Sequence, residues 1–297
     1  MELSEKSYHA SQPQLLFYRI PKKQYQMKKI ILVIILAISS LQFMSCSKSA
    51  DTATPAATVT WTTTVNMSTK FEVPAIASRT ETATATLELY SDNTLKYNIV
   101  VSGLASGDAL AAAHIHLGNA GVSGAVYIPL AGTFAGSTIS GTATLTAGQA
   151  DTLKTQETYV NVHTTQVAGG LIRGQVDSKV VYAADIAMTG ANEVPAVTTT
   201  ATGVAILRLT EDKKLYVKIT ISNLEAGDAL SAAHIHTGTA TVSGAVVLGL
   251  YSSATEFGTA KKFTVDNAFY TSLLNDALYV NAHSTARASG IVRGQIR

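Results

Sequence analysis

The sequence is poor in cysteine and in charged residues. It has one cysteine in 297 residues, which excludes an intrachain disulfide, a cysteine-rich zinc module and an iron–sulfur cluster held by this chain alone. Charged residues make up 14% of the chain, against roughly 25% in an average soluble protein. The formal net charge of +2 is too small an excess to indicate nucleic-acid binding, so nucleic acid is not an expected partner.

Aromatic side chains are scarce as well, and small β-forming residues take their place. Aromatic residues amount to 7% although hydrophobic residues reach 46%, and threonine alone occurs 38 times. Such a composition is typical neither of a disordered chain nor of a coiled coil. It favours a β-rich protein.

The start of the chain has the pattern of an export signal. Met27-Lys28-Lys29 precede an apolar run of about 15 residues that leads to Ser45-Cys46. Since about 20 apolar residues are needed to span a bilayer as a helix, a signal peptide is favoured over a permanent transmembrane anchor. We interpret residues 27–45 as a lipoprotein signal peptide, and residues 1–26 as a wrongly assigned start or an extended basic region.

The small Ser45 directly before Cys46 resembles a bacterial lipobox, in which the cysteine is lipidated and becomes the mature N-terminus. Residues 46–57 then form the lipidated cysteine and a small, polar, flexible tether. This interpretation predicts an exported cell-envelope lipoprotein, on the outer membrane or cell surface, that contacts the membrane through its N-terminal lipid. The alternative is a cysteine that lies by chance beside an ordinary signal peptide.

The rest of the chain is a tandem repeat. The segments GDALAAAHIH at 107–116 and YVNVH at 159–163 return 120 residues later as GDALSAAHIH and YVNAH. The period is too long for a solenoid unit and has the length of a whole small domain. We therefore predict one domain at 58–178 and a second at 179–297.

Each copy contains short runs of Thr, Val and Ile separated by turns with Gly, Asp or Asn. Eight strands fit into each copy, and one short helix is predicted at 147–155 in the first copy and 266–277 in the second, where Asp266 is a candidate N-cap. The predicted fold class is all-β, with two tandem antiparallel β-sandwich domains of about eight short strands and one short helix each.

The histidines are the strongest candidate site. Six of the seven occupy equivalent positions in the two copies: His114, His116 and His163 in the first, and His234, His236 and His283 in the second. In a strand, both imidazoles of a His-Ile-His segment lie on one face, and a third from a neighbouring strand would complete a three-histidine site for Cu or Zn. Two alternatives stay open, a buried polar network and a catalytic or substrate-contacting role.

A second set of polar residues also repeats and is expected to form a structural polar network. Its members are Glu72, Arg173 and Gln175 in the first copy and Glu193, Arg293 and Gln295 in the second. Arg173 is expected to pair with Glu72 and so to hold the first and last segments of the domain together. Because the chain has no Gly-x-Ser-x-Gly motif for Ser-His-Asp catalysis, a non-catalytic role is favoured.

These residues give the chain a resemblance to the CHRD family, a module found repeatedly in chordin and widely in bacterial secreted proteins. The matching elements are Glu-Val-Pro at 72–74 and 193–195, AAHIH before a glycine turn, and the closing YVNVH and GGLIRGQ segments. The resemblance implies an all-β extracytoplasmic domain whose molecular function is poorly defined. In chordin the module belongs to an antagonist of a secreted growth factor, and we do not extend that activity to this chain.

His-x-His on a β-sandwich strand is also similar to the arrangement in copper–zinc superoxide dismutase. Each copy here has only three histidines, no cysteine pair and no zinc loop rich in His and Asp. The similarity therefore implies metal binding and leaves dismutase activity without support.

The sequence thus favours a lipid-anchored cell-envelope protein whose two CHRD domains act as a non-catalytic binding or structural module for an unknown protein or envelope partner. The alternative is a histidine-rich metalloprotein that binds Cu or Zn, with or without redox activity, at one three-histidine site per domain.

Overall fold

A computed structural model describes residues 55–297. This part of the chain is all-β, with two antiparallel sheets of nine and eight strands and two short α-helices, so the predicted fold class is confirmed. Neither α-helix in residues 55–297 is long and apolar enough to cross a membrane.

The first domain contains nine strands and one α-helix. They are β1 (Val59–Ser68), β2 (Thr82–Tyr90), β3 (Thr94–Ser102), β4 (Leu110–Leu117), β5 (Val126–Pro129), β6 (Thr133–Ala135), β7 (Thr138–Thr144), α1 (Ala147–Thr155), β8 (Thr158–Thr164) and β9 (Ile172–Gln175). The strand order is β5-β4-β8-β9-β1-β2-β3-β7-β6.

The second domain repeats this architecture with one strand fewer. Its elements are β10 (Val180–Thr189), β11 (Thr202–Thr210), β12 (Lys214–Ser222), β13 (Leu230–Thr237), β14 (Val246–Tyr251), β15 (Lys261–Thr264), α2 (Asn267–Asn275), β16 (Leu278–Ser284) and β17 (Val292–Gln295). The order β14-β13-β16-β17-β10-β11-β12-β15 matches that of the first domain without a counterpart of β6.

Each sheet curls so that its two halves enclose one core. In the first domain the halves are joined only where Ser68 on β1 pairs with Arg173 on β9. Leu87 on β2, Ile115 on β4 and Val160 on β8 are fully buried in the same apolar cluster, although these strands belong to opposite halves. The alternation of buried and exposed residues along β2 and β3 places one face of each strand in this core.

Local capping explains the position of the two helices. Helix α1 begins after Thr146, whose hydroxyl accepts a hydrogen bond from the Gln149 N–H, while the Gln149 side chain accepts one from the Thr146 N–H. In α2, the predicted N-cap Asp266 accepts a hydrogen bond from the Phe269 N–H at 2.8 Å. The helices lie where the sequence predicted them, whereas the short strand β6 was not predicted.

The two domains lie against each other. Ala120 of the first domain and Val180 and Tyr216 of the second form a small buried apolar cluster, against which Phe71 and Ala183 pack. The closing strand of the first copy and the opening strand of the second are separated by four residues, which keeps the domains in contact.

Candidate metal centre

The first three histidines lie on the outer face of the half-sheet formed by β4, β8 and β9. Because side chains alternate along β4, Ile115 points into the core while His114 and His116 point to the opposite face. The antiparallel register places His114 beside Asn161 and His116 beside Tyr159 on β8. The period of two therefore puts one polar row on each of these strands.

His163 completes the cluster from the end of β8. Its ring centroid lies 4.8 Å from that of His114 and 6.1 Å from that of His116, and the His114 and His116 centroids are 5.6 Å apart. One potential ligand atom from each ring lies within 4.8 Å of the other two. The structure thus brings together the three histidines that the sequence grouped.

Backbone carbonyls determine which ring nitrogen carries the proton in two of the three histidines. Nδ1 of His116 lies 3.0 Å from the Gly124 oxygen, and Nδ1 of His163 lies 2.9 Å from the Ala168 oxygen. Since a carbonyl oxygen can only accept, both neutral rings hold their proton on Nδ1 and present a lone pair at Nε2. Metal-binding histidines typically donate their other N–H to a carbonyl or carboxylate in this way.

The two Nε2 lone pairs differ in their surroundings. Nε2 of His163 lies 3.1 Å from Nδ1 of His114 and accepts a hydrogen bond from its N–H. Nε2 of His116 is buried and has no hydrogen-bond partner within residues 55–297. Leaving a buried acceptor unpaired costs roughly 1–3 kcal/mol, a cost that a bound cation would remove. Such a cation would be coordinated by one nitrogen lone pair of each ring, and this coordination would replace the hydrogen bond between His114 and His163.

Burial favours the neutral form of His114 and His116, which is the form that metal binding requires. Desolvation lowers the pKa of His114, and the neighbouring His163 and His116 lower it further. Desolvation also lowers the pKa of His116, partly opposed by its hydrogen bond to Gly124. Neutral imidazoles near pH 7 have the lone pairs that Zn and Cu accept.

Tyr159 lies between His116 and Arg173. Its ring stacks on His116 at a centroid distance of 4.9 Å and an interplanar angle of 11°, and Cζ of Arg173 lies 3.5 Å from its centroid. Because β8 lies between β4 and β9, the imidazole and the guanidinium contact opposite sides of the phenol ring. The phenol oxygen accepts a hydrogen bond from the Gly124 N–H at 2.9 Å, so Tyr159 also fixes the residue that orients His116.

Arg173 and Gln175 hold the loop that covers this face, residues 118–124. The buried Arg173 guanidinium donates to the carbonyl oxygens of Asn119 at 2.5 Å and Val122 at 2.8 Å, and to the Gln175 side chain at 3.0 Å. Gln175 in turn donates to the first carbonyl of the loop at 3.2 Å. The network thereby sets the position of the carbonyl that orients the histidine.

The direct ion pair predicted between Glu72 and Arg173 is absent from the described part of the chain, because the guanidinium donates to loop carbonyls instead. Glu72 lies beside Asn161, and burial raises the pKa of Glu72 to about 7 although the charge of Arg173 opposes the rise. Glu72 Oε1 and Asn161 Oδ1 are both buried acceptors without a partner within residues 55–297. Below about pH 7 this carboxyl group is therefore mainly protonated and supplies a donor.

The second domain repeats the histidine geometry. Nδ1 of His234 lies 3.0 Å from Nε2 of His283, Nδ1 of His236 lies 3.1 Å from the Gly244 oxygen, and Nδ1 of His283 lies 3.0 Å from the Ala288 oxygen. Within residues 55–297, Nε2 of His236 is again buried without a partner. Burial lowers the pKa of His234 and of His283.

The supporting network repeats as well. Tyr279 stacks on His236 at 4.8 Å and 9°, and Cζ of Arg293 lies 3.4 Å from the Tyr279 centroid. The Arg293 guanidinium donates to the side-chain oxygen of Gln295 at 3.5 Å. Burial raises the pKa of Glu193 to about 7, opposed by Arg293. Two copies with different surrounding sequences thus hold the same arrangement.

Sequence reasoning missed the tyrosine and asparagine of each site. Tyr159, Asn161 and His163 alternate along β8 and share one face, so the YVNVH repeat contained the signal. The carbonyls that orient the rings come from loops and carry no side-chain signature. Cys46 lies outside the described residues, and its lipidation stays a prediction.

A cleft of about 680 Å³ also lies at the junction of the two domains. Its lining includes Tyr127, Thr152 and Glu157 of the first domain and Lys262 of the second. No histidine lines it, whereas Gly118, Asn119 and Val122 of the covering loop do.

Fold and site together define a tandem all-β protein in which each domain carries three clustered histidines on an outer sheet face. A family model described as the CHRD domain matches residues 63–176 and 185–296. The chain therefore belongs to the CHRD domain family and contains two tandem copies of the domain. No curated protein and no solved structure matches it significantly.

Proposed function

We propose that this protein is an exported, lipid-anchored envelope protein whose CHRD domains are non-catalytic binding modules, each built around one copper or zinc ion. The observation that carries the proposal is the buried lone pair of His116 Nε2, and of His236 Nε2, which has no donor within residues 55–297 and lies beside two further imidazoles. This unpaired acceptor recurs at the same position in both domains, and a cation bound between the three rings would give it a partner.

The donor set selects the class of metal. Imidazole nitrogens suit Zn, Cu, Fe and Ni and are poor ligands for Mg and Ca, which take oxygen. Three protein ligands leave one position open in a tetrahedral site. A donor group of an envelope partner could occupy that position, and two linked domains would raise the effective concentration of the second contact.

Metal analysis of the purified protein tests the proposal. After loading with Cu or Zn and dialysis, we expect close to two ions per chain. His114→Ala and His234→Ala should each leave one ion, and the double variant none, so each domain serves as the control for the other. A stoichiometry near zero in folded wild-type protein would show that the histidines form a structural network only.

Lipidation has a separate test. A fatty-acid analogue supplied to expressing cells should label the wild type and the control Ser47→Ala, and should fail to label Cys46→Ser. Equal labelling of all three proteins would remove the lipid anchor from the proposal.

A further inference from the structure

The loop that covers the histidines is buried in one domain and exposed in the other. Residues 119–122 of the first domain are buried or half-buried, whereas the equivalent residues 239–242 are all exposed. The difference arises because the second domain packs onto the first loop: Gly121 lies so close to Tyr216 that an added Cβ would be 3.0 Å from the Tyr216 Cβ. Thr241 stands at the equivalent exposed position.

Arg208 of the second domain holds the neighbouring segment of the first domain. Its side chain is fully buried, and its guanidinium donates to the Glu72 carbonyl oxygen and forms an ion pair with Asp185 at 2.7 Å. Asp185 in turn accepts a hydrogen bond from the Ala75 N–H at 2.8 Å. The second domain therefore fixes both ends of the Glu-Val-Pro segment.

Hydrogen bonds connect this segment to the first histidine cluster. The Ser123 hydroxyl donates to the Val73 carbonyl oxygen at 2.9 Å, and the carbonyl of the next residue, Gly124, accepts a hydrogen bond from the His116 Nδ1–H. Three hydrogen bonds, joined by short stretches of main chain, thus connect Arg208 to the imidazole with the unpaired Nε2.

The second domain lacks such support. Glu88, Thr64 and Lys96 stand in the first copy where Arg208, Asp185 and Tyr216 stand in the second. A carboxylate cannot donate to a carbonyl, so the outer face of β2 cannot reproduce the Arg208 contact. Within residues 55–297, no residue hydrogen-bonds the Ala196 N–H, which corresponds to the anchored Ala75 N–H.

We infer that the second domain acts as a scaffold for the metal site of the first, with Arg208 as a positioning residue, so that the two sites bind metal with different affinity. The inference rests on the proposed metal-binding function. Preorganised surroundings reduce the ordering cost of binding, and changes to such supporting contacts typically weaken metal binding by about 10- to 100-fold.

Copper(II) titration of the whole protein, followed by calorimetry and electron paramagnetic resonance, tests the inference. We expect two binding events that differ by about tenfold or more. Removal of the second site by H234A/H236A, or of the first by H114A/H116A, assigns the tighter event to the first domain.

The decisive variant is Arg208→Met. It should weaken the first site about tenfold and change its copper spectrum, while the site in Arg208's own domain keeps its affinity and spectrum. Arg208→Lys should restore part of the loss, and Glu88→Gln at the equivalent surface position should leave both sites unchanged. If Arg208→Met does not fold, Gly121→Thr disturbs a second contact between the domains, that of the covering loop with Tyr216, and should weaken the first site selectively.

Equal affinities in the wild type, or equal weakening of both sites by Arg208→Met, would overturn the scaffold inference. The latter would show only general destabilisation, since Arg208 lies in the second domain. Absence of copper binding at either wild-type site would instead refute the proposed metal-binding function.

Discussion

Glu72 makes the stability of the first domain depend on pH in a direction opposite to that of most surface carboxylates. Burial raises its pKa from 4.5 to about 7 in the folded protein. A group whose folded pKa is raised stabilises the fold fully below its unfolded pKa, and this stabilisation is lost as the pH rises through the folded pKa. The relevant window therefore runs from about pH 4.5 to about pH 7.

The size of the effect follows from these two values. At about 1.4 kcal/mol per pH unit, the gap between 4.5 and about 7 corresponds to about 3 kcal/mol of unfolding free energy lost by pH 8. Glu72→Gln mimics the protonated acid, because the amide supplies a donor near the unpaired Asn161 oxygen without a charge. We expect this variant to exceed the wild type by about 3 kcal/mol at pH 8 and to match it near pH 4.5.

Urea unfolding at pH 4.5, 6 and 8 checks this prediction. The single tryptophan, Trp61, lies on β1 of the first domain, so its fluorescence reports unfolding of that domain. Glu193→Gln is the matched variant in the second domain, and its effect should have the same sign when followed by circular dichroism. A Glu72→Gln protein that is less stable than wild type at pH 8, or that differs equally at every pH, would contradict a raised pKa of Glu72 in the folded protein.

Three further predictions concern the support of the fold and of the first site. Thr146→Ala removes the capping box of α1 and should lower the unfolding free energy by about 1 kcal/mol in urea titrations; no loss would mean the cap is redundant. Arg173→Met removes the guanidinium that donates to the carbonyls of the covering loop. It should lower the unfolding free energy by about 3 kcal/mol and speed proteolysis at residues 118–124, whereas unchanged proteolysis would contradict its role. Gly124→Ala should halve the bound copper, because its Cβ would overlap the Leu117 carbonyl and displace the Gly124 carbonyl that orients His116. Gly148→Ala in α1 has open space and should retain both ions. Equal copper in the two alanine variants would refute that contrast.

The sequence predicted those features that local chemistry determines. Asp266 marks the start of α2 because its side-chain oxygen satisfies a free N–H group, and the period of two along β4 placed His114 and His116 on one face. Strand β6 escaped prediction because its three exposed residues pair only with β7 and bury nothing.

The carbonyl partners of the imidazoles could not be predicted, because main-chain oxygens of Gly124 and Ala168 reach the rings only through loop conformations. The residues that form the domain contact could not be predicted either, although differences between the repeats contained a signal for them. Arg208 replaces Glu88 at an equivalent position, and a fully buried arginine on an outer sheet face indicates a covered surface.

X-ray absorption spectroscopy of the copper- or zinc-loaded protein tests directly whether the histidines hold a metal. We expect two ions per chain, each bound by three imidazole nitrogens at about 2.0 Å, and a halved signal in His116→Ala. Folded protein that retains no metal, or metal surrounded by oxygen ligands alone, would contradict it.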